Sequence, residues 1–336
     1  MTSKPSAKII CDSISPDGVR LTTMAINMHR FVLAEFNTHR VFSRNSASSR
    51  AIPVEKRLKE IIDDSAYPIY WGSEKKGMSS GEELCGSDLF TAKDMWIDVR
   101  LCSTKIAKNL ISLGLHKSLI NRLLEPFMWH TVVVTATQWT NFFAQRCSPL
   151  AQPEMKAVAD AMQLEYYTNE PKKLQYGEWH LPFIDESDWD DISCDNDGDH
   201  TEDIKKISTA RCARVSYKTH DGIRDHQEDL NLFERLKNAY PMHASPFEHV
   251  ATPFMLYEDT TTHEAYNWNG NFRGWKQFRK EFENENVTHF VPNHPLIPCS
   301  SCSSVGFEKM KGTEASGKEY DGCAFCAQES NFNNIK

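Results

Sequence analysis

The chain lacks any apolar run approaching the length of a membrane span. Its opening residues, MTSKPSAKIICDS, lack the long apolar core of a signal peptide. Both absences lead to the expectation of a cytoplasmic protein, in which the ten cysteines stay mostly reduced. An excess of positive charge is also missing. The net charge is −8, so nucleic acid is not attracted by the chain as a whole, and any anion site must be local. No regular internal repeat is present. What remains is ordinary globular composition, 40% apolar and 25% charged, over 336 residues, enough for one large domain or two ordinary ones.

One local absence is more informative. No acidic residue lies between Phe36 and Val54, and that stretch holds His39, Arg40, Arg44 and Arg50 among small polar residues, Ser43, Asn45, Ser46, Ser48 and Ser49. Guanidinium forks give charge-assisted bidentate bonds to phosphate, and hydroxyls and loop amides fill the remaining acceptor positions. A solvated basic loop is the plainer alternative. Arginines alternating so tightly with serine, without glutamate partners, favour the phosphate.

Along the chain, KIICDSI and VRLTTMAINM read as strands joined by an SPDG turn. From His29 the spacing turns helical, placing Glu35 and His39 one turn apart. Pro53 opens a helix over VEKRLKEIIDD. Residues 66–87 read as loop and short strand, 88–113 and 115–125 as helices broken at Gly114, and 152–163 and 226–238 as further helices. Residues 129–146 are apolar nearly all round and are expected to form one buried helix ending in Arg146. ISTARCARVSY reads as a strand. The acidic run 185–203 is the best boundary candidate.

Arg146 either snorkels at its helix end or reaches a planar ligand edge, and the residues leave these even. Arg122, among Leu119, Leu123 and Leu124, reads as a solvated face before a second phosphate ligand. SPFEH at 245–249 has the form of a capping box, with Ser245 as cap, Pro246 at the first helical position and Glu248 three after the cap. Capping does not account for the flanking His243 and His249, which suggest a ligand site. In the tail, Cys299-x2-Cys302 and Cys323-x2-Cys326 enclose twenty residues, a spacing suited to a closed four-thiolate zinc site. A disulfide pair is disfavoured in a reducing compartment.

The stretch THRVFSRNSASSR resembles the signature of the flavin-dependent thymidylate synthases (ThyX), an Arg-His-Arg start with a Ser-x-Arg end. His39, Arg40, Ser43, Asn45, Ser48 and Arg50 match; Thr38, Ser46 and Ala51 depart. NFFAQR followed by AQPEM is similar to the family's C-terminal helix. ARVSY at 213–217 and HASPFEHV at 243–250 look like its N-terminal segments, yet they come later in this chain. The order resembles a circularly permuted member of the kind bacteriophages encode, and NFRGWKQFRK is similar to that subgroup. Residues 1–184 then form a first half, 185–205 an acidic linker, 206–295 a second half and 296–336 a zinc-ribbon-like tail.

The resemblance implies an α+β fold with helices around an antiparallel sheet and a homotetramer whose sites draw on several subunits. It implies FAD, reduced by NADPH, with methylenetetrahydrofolate as carbon donor and dUMP as substrate. His39, Arg40, Ser43, Asn45, Asn141, Ser245 and Glu248 would hold FAD, with His243 near flavin and folate. Ser48, Ser49, Arg50 and Arg122 would hold the dUMP phosphate, and Arg146 would face the uracil and stabilise an enolate-like form. Two family positions that touch FAD fall on Thr135 and Thr137. The departures leave room for an alternative on the same scaffold, conversion of dUMP to hydroxymethyl-dUMP. Nucleic acid would be engaged, if at all, through the tail. Cys147 and Cys212 read as ordinary buried thiols, not nucleophiles.

Overall fold

The computed structural model describes residues 4–193, 200–218, 222–254, 270–286, 309–313 and 319–323. Two compact units divide the chain, 1–285 and 286–336. In chain order the first contains β1 (Ser6–Ile14), β2 (Arg20–His29), α1 (Leu33–Phe36), β3 (Ser43–Ser46), α2 (Val54–Asp63), α3 (Gly86–Ser112) and α4 (Lys117–Leu124). It continues with β4 (Trp129–Ala136), α5 (Thr140–Arg146), α6 (Pro153–Thr168), β5 (Lys172–Lys173), α7 (Glu186–Ser193), α8 (Thr201–Arg214), α9 (His226–Lys237), β6 (Ala251–Pro253) and β7 (Trp275–Gln277). The second unit holds β8 (Lys309–Thr313) and β9 (Glu319–Cys323), an antiparallel pair with Lys309 opposite Cys323.

The main sheet has the order β3-β4-β2-β1-β5, antiparallel except for the short β1–β5 pairing. The β1–β2 hairpin closes where Ser15 Oγ accepts from the Val19 amide at 3.1 Å and Gly18 takes a left-handed φ of 77°. Strand periodicity sends Met24, Ile26, Val132 and Val134 to one face, where they pack on Phe36, Phe142 and the α6 residues Met155, Val158 and Met162. Val133, on the other face, packs with Phe183 and Cys212. The sheet therefore lies between α6 and α8, and the described residues form an α+β fold. No helix among them is long and apolar enough to cross a membrane.

Two expectations are corrected. Residues 129–146 are not one helix: Trp129–Ala136 is β4, and only Thr140–Arg146 is helical. A strand covered on both faces is as apolar all round as a buried helix, and the β-branched run TVVVT decides for the strand. ISTARCARVSY is not a strand. It lies mostly within α8, whose turns from Ile204 to Cys212 are buried. Full burial removes the periodic signal, and Thr209 Oγ1 satisfies itself on the Lys205 carbonyl at 2.8 Å. The helical spacing from His29 yields only the single α-turn of α1, after the 3-10 turn Arg30–Val32. The acidic run carries α7 and the first turn of α8.

Candidate active site around the arginine-serine loop

The loop leaves α1 through a turn in which Thr38 Oγ1 donates to the Glu35 carbonyl at 2.7 Å. It then forms β3, the edge strand, with Ser43 opposite Thr135 and Ser46 opposite Val132. Past β3 it is held from α4. The buried Asn121 side chain donates to the Ser49 carbonyl at 2.7 Å and to the Ile52 carbonyl at 3.0 Å, and Lys117 Nζ reaches the Ala51 carbonyl at 3.1 Å. Satisfying loop carbonyls from a buried amide fixes the chain where no regular ladder exists.

At the loop's start, Arg146 and His39 meet across 107 positions. Arg146 Nε donates to His39 Nε2 at 2.8 Å, and Arg146 Nη2 to Thr38 Oγ1 at 3.2 Å. Burial, with Arg146 and Arg44 beside it, pushes the His39 imidazole down to about 4. The ring is neutral near pH 7 and offers its Nε2 lone pair, so the Arg146 charge is left without a carboxylate partner among the described residues. Phe142 stands edge-on to His39 at 4.9 Å between ring centres, next to the exposed Asn141. Arg40 is exposed and shows no side-chain bond among the described residues.

The middle of the loop is bonded inward. Ser43 Oγ donates to Asn271 Oδ1 and accepts from Gln277 Nε2, both at 3.1 Å. Asn271 Nδ2 reaches the Val41 carbonyl at 3.0 Å, so the NFRGWKQ segment clasps the loop. Gly270 is required there: its φ is 63°, and a Cβ would stand 2.0 Å from Gln277 Oε1. Asn45 Nδ2 donates to the Cys212 carbonyl of α8 at 3.2 Å. Arg44 donates to the Phe36 carbonyl at 3.3 Å, and burial lowers its pKa while Glu248 opposes the shift.

SPFEH forms a 3-10 turn over Ser245–Glu248 with Ala244 in the cap position, and no side chain caps it. The expected capping by Ser245 is therefore corrected; β6 begins at Ala251, too soon for an α-helix to propagate. Glu248 is paired with Arg279, and His243 is exposed. His249 is buried and ends a chain of bonds beneath the sheet. Its Nδ1 meets Thr135 Oγ1 at 2.7 Å, Thr135 meets Thr23 at 2.6 Å, Thr23 meets His180 Nε2 at 2.8 Å, and His180 Nδ1 meets Ser13 Oγ at 2.8 Å. Burial pushes both imidazoles down to about 3.

At the loop's far end lies a second charged group. Glu125 accepts from Ser49 Oγ, from Arg122 Nη1 at 2.8 Å and from Arg30 Nη2 at 3.1 Å. Burial alone would raise its carboxyl, but Ser49, Arg30 and Arg122 outweigh that and hold it below the usual range. Arg50 is exposed, its amide donating to Ser48 Oγ at 3.3 Å. Two guanidiniums against one carboxylate, beside the exposed Arg50, leave a net positive surface. Sequence reasoning missed Arg30, Asn121 and Glu125. The i,i+3 spacing of Arg122 and Glu125 was a signal that could have found the last. Cys212 is buried as expected, whereas Cys147 is only half-buried. Cys299, Cys302 and Cys326 lie outside the described residues; Cys323 ends β9.

Arg40 and Asn141 are exposed donors on either side of the neutral His39 and Phe142 in sequence. No protein-family model and no curated protein matches the chain. Among solved structures it is similar to the UMP/dUMP methylase PolB from Streptomyces cacaoi. The form bound with 5-Br UMP matches at TM-score 0.39 and 14% identity over 49% of this chain and 90% of that one. The form bound with 5-Br dUMP matches at TM-score 0.38 and 11% identity over 49% and 91%. The functional reading of the site therefore rests on its own residues.

Proposed function

We propose that the chain is a flavin-dependent enzyme that methylates C5 of dUMP, giving dTMP, with methylenetetrahydrofolate as carbon donor and NADPH as reductant. One observation carries the reading. Two segments that resemble the flavin-dependent synthases, far apart in sequence, reach one loop, and a third begins beside it: Arg146 bonds His39, Glu248 stands close enough to act on Arg44, and Asn45 is tied to α8 at Cys212, the residue before ARVSY. Their meeting despite the shuffled order supports a permuted chain that rebuilds one site.

In this reading Ser48, Ser49, Arg50 and Arg122 hold the phosphate of dUMP. The phosphate takes over from Glu125 as partner of Arg122 and adds the open fork of Arg50. Arg146, with only neutral acceptors now, faces the uracil and stabilises charge that develops on the ring. His39, Arg40, Asn141, His243, Ser245 and Glu248 face FAD, while Ser43 and Asn45 fix the loop that presents them. FAD supplies hydride chemistry when bound. Exposed Phe90, Met95, Val99 and Ile106 on α3 support assembly as a homotetramer. The antiparallel β8–β9 pair, which follows the first cysteine pair and ends at Cys323, supports a structural zinc held by Cys299, Cys302, Cys323 and Cys326.

The test is to incubate pure protein with FAD, NADPH, methylenetetrahydrofolate and dUMP and to weigh the product. The mass of dTMP is expected. The mass of hydroxymethyl-dUMP would assign the alternative reaction, and unchanged dUMP would remove both.

A further inference from the structure

We propose that Arg273 is a further ligand of the candidate site and binds a phosphoryl group of the flavin dinucleotide. The inference deepens the proposed function and rests on it. Arg273 lies in the NFRGWKQ segment that clasps the loop, and its own side chain is exposed. The segment is pinned on both sides of it. Asn271 is bonded to Val41 and Ser43, Phe272 and Trp275 are buried, and Trp275 Nε1 donates to the Val19 carbonyl at 3.1 Å. Gly274 takes a left-handed φ of 65°, and its carbonyl accepts from the Phe254 amide at 3.0 Å. The Arg273 amide donates to Thr137 Oγ1 at 3.1 Å, just before α5 and Asn141.

A rigidly presented guanidinium here keeps open donors. The Gln138 side-chain oxygen, turned to meet it, stands 2.5 Å from Nε, 2.9 Å from Nη1 and 3.1 Å from Nη2. One neutral oxygen cannot serve all the N–H donors of a guanidinium. No carboxylate pairs with Arg273 among the described residues. Its charge is therefore held in place by an amide and left uncompensated, accessible to solvent and to a ligand.

The surroundings select the class of ligand. Three stretches without an acidic residue come together: 37–53, 126–153 and 270–280. The bonds of Arg146 to His39, Asn271 to Val41 and Arg273 to Thr137 join them pairwise. The chain holds 46 acidic residues and a net charge of −8, so composition does not account for this convergence. Glu248, the acid that acts on the loop, is paired with Arg279. Arg40, Arg146 and Arg273 thus lack carboxylate partners among the described residues. Such a set recognises an anion, and a planar fork suits a phosphoryl group. Asn271 grips the residue after Arg40, and Thr137 precedes the helix of Asn141. Both tie Arg273 to the flavin end of the loop and away from Arg50.

The test is a titration of the full chain with FAD, read by flavin fluorescence, beside a calorimetric titration with dUMP. Arg273→Gln is expected to weaken FAD by about tenfold or more, the scale of one charge-assisted hydrogen bond, and to leave dUMP affinity unchanged. Gln138→Glu keeps Arg273 in place but gives it a carboxylate partner, and it is expected to weaken FAD as well. A purely structural contact between the two would be strengthened by that charge, with FAD affinity unmoved. Unchanged FAD affinity in either variant would overturn the inference and leave the proposed function standing. Loss of dUMP affinity with FAD spared would do the same, by moving Arg273 to the substrate phosphate. If the unaltered chain binds no FAD, the proposed function falls and this inference with it.

Discussion

Arg211 on α8 and Arg146 at the end of α5 use the same guanidinium in opposite ways. Arg211 is fully buried. It donates to Asp229 at 2.9 Å, twice to Asp188 at 2.8 Å and to the Phe183 carbonyl at 2.8 Å. Arg214, Arg224 and His226 complete that cluster around the same two carboxylates, and Asp188 is held well below the usual carboxylate range, where burial alone would raise it. Arg146 is half-buried and meets only a neutral imidazole and a hydroxyl. A saturated cluster has nothing left to offer a ligand and belongs to the fold. A guanidinium with neutral partners keeps its charge available. Open valence, more than charge, separates the candidate site from the scaffold.

The strongest way to break this comparison is to exchange the two sites' roles by mutation. Arg211→Met removes the one fully buried cation that bridges Asp188 and Asp229 and is expected to cost about 3–5 kcal/mol of stability, read from urea unfolding. Arg146→Met should cost under about 1 kcal/mol in the same assay. Equal losses would show that Arg146 is structural. The converse readout is turnover: Arg146→Ala is expected to lower it by roughly 100-fold or more while FAD still binds, as when a transition-state donor is removed. Near-normal turnover would return Arg146 to helix packing.

A smaller effect sharpens the picture at the other end of the loop. Arg50→Lys keeps the charge and loses the fork, so dUMP binding should weaken by about 1.5–3 kcal/mol with FAD binding spared. Unchanged dUMP affinity would exclude Arg50 as the phosphate ligand. A further, pH-dependent effect comes from the neutral histidines. His39 is pushed down to about 4, and His130, His180 and His249 to about 3, all chiefly by burial. Unfolded histidine takes up its proton near pH 6.5. Their contribution is thus full above about pH 6.5 and is lost as pH falls through the folded values. The slope is at most ~1.4 kcal/mol per pH unit for each. Urea midpoints that do not fall between about pH 7 and pH 5 would show that these rings are not held neutral.

Much of this could be read from residues alone because the signals were local. The SPDG turn, Pro53 before α2 and the acid-free stretch from Asn37 to Pro53 each state their role within a few positions. What could not be read depended on distant partners. Nothing near Arg211 announces Asp188 and Asp229, and nothing near Ser49 announces Asn121. TVVVT looked helical because burial on both faces erased the alternation that marks a strand. The loop was recognisable, but its inward bonds from Ser43 to Asn271 and Gln277 needed the fold.

The central claim, that the converged loop performs chemistry at C5 of dUMP, is tested most directly by tritium release from dUMP labelled at C5. The incoming one-carbon unit replaces that hydrogen whichever product forms. The account predicts release that requires FAD, NADPH and methylenetetrahydrofolate together and that Arg146→Ala abolishes. No release from the complete mixture, or release that persists without FAD, would contradict it.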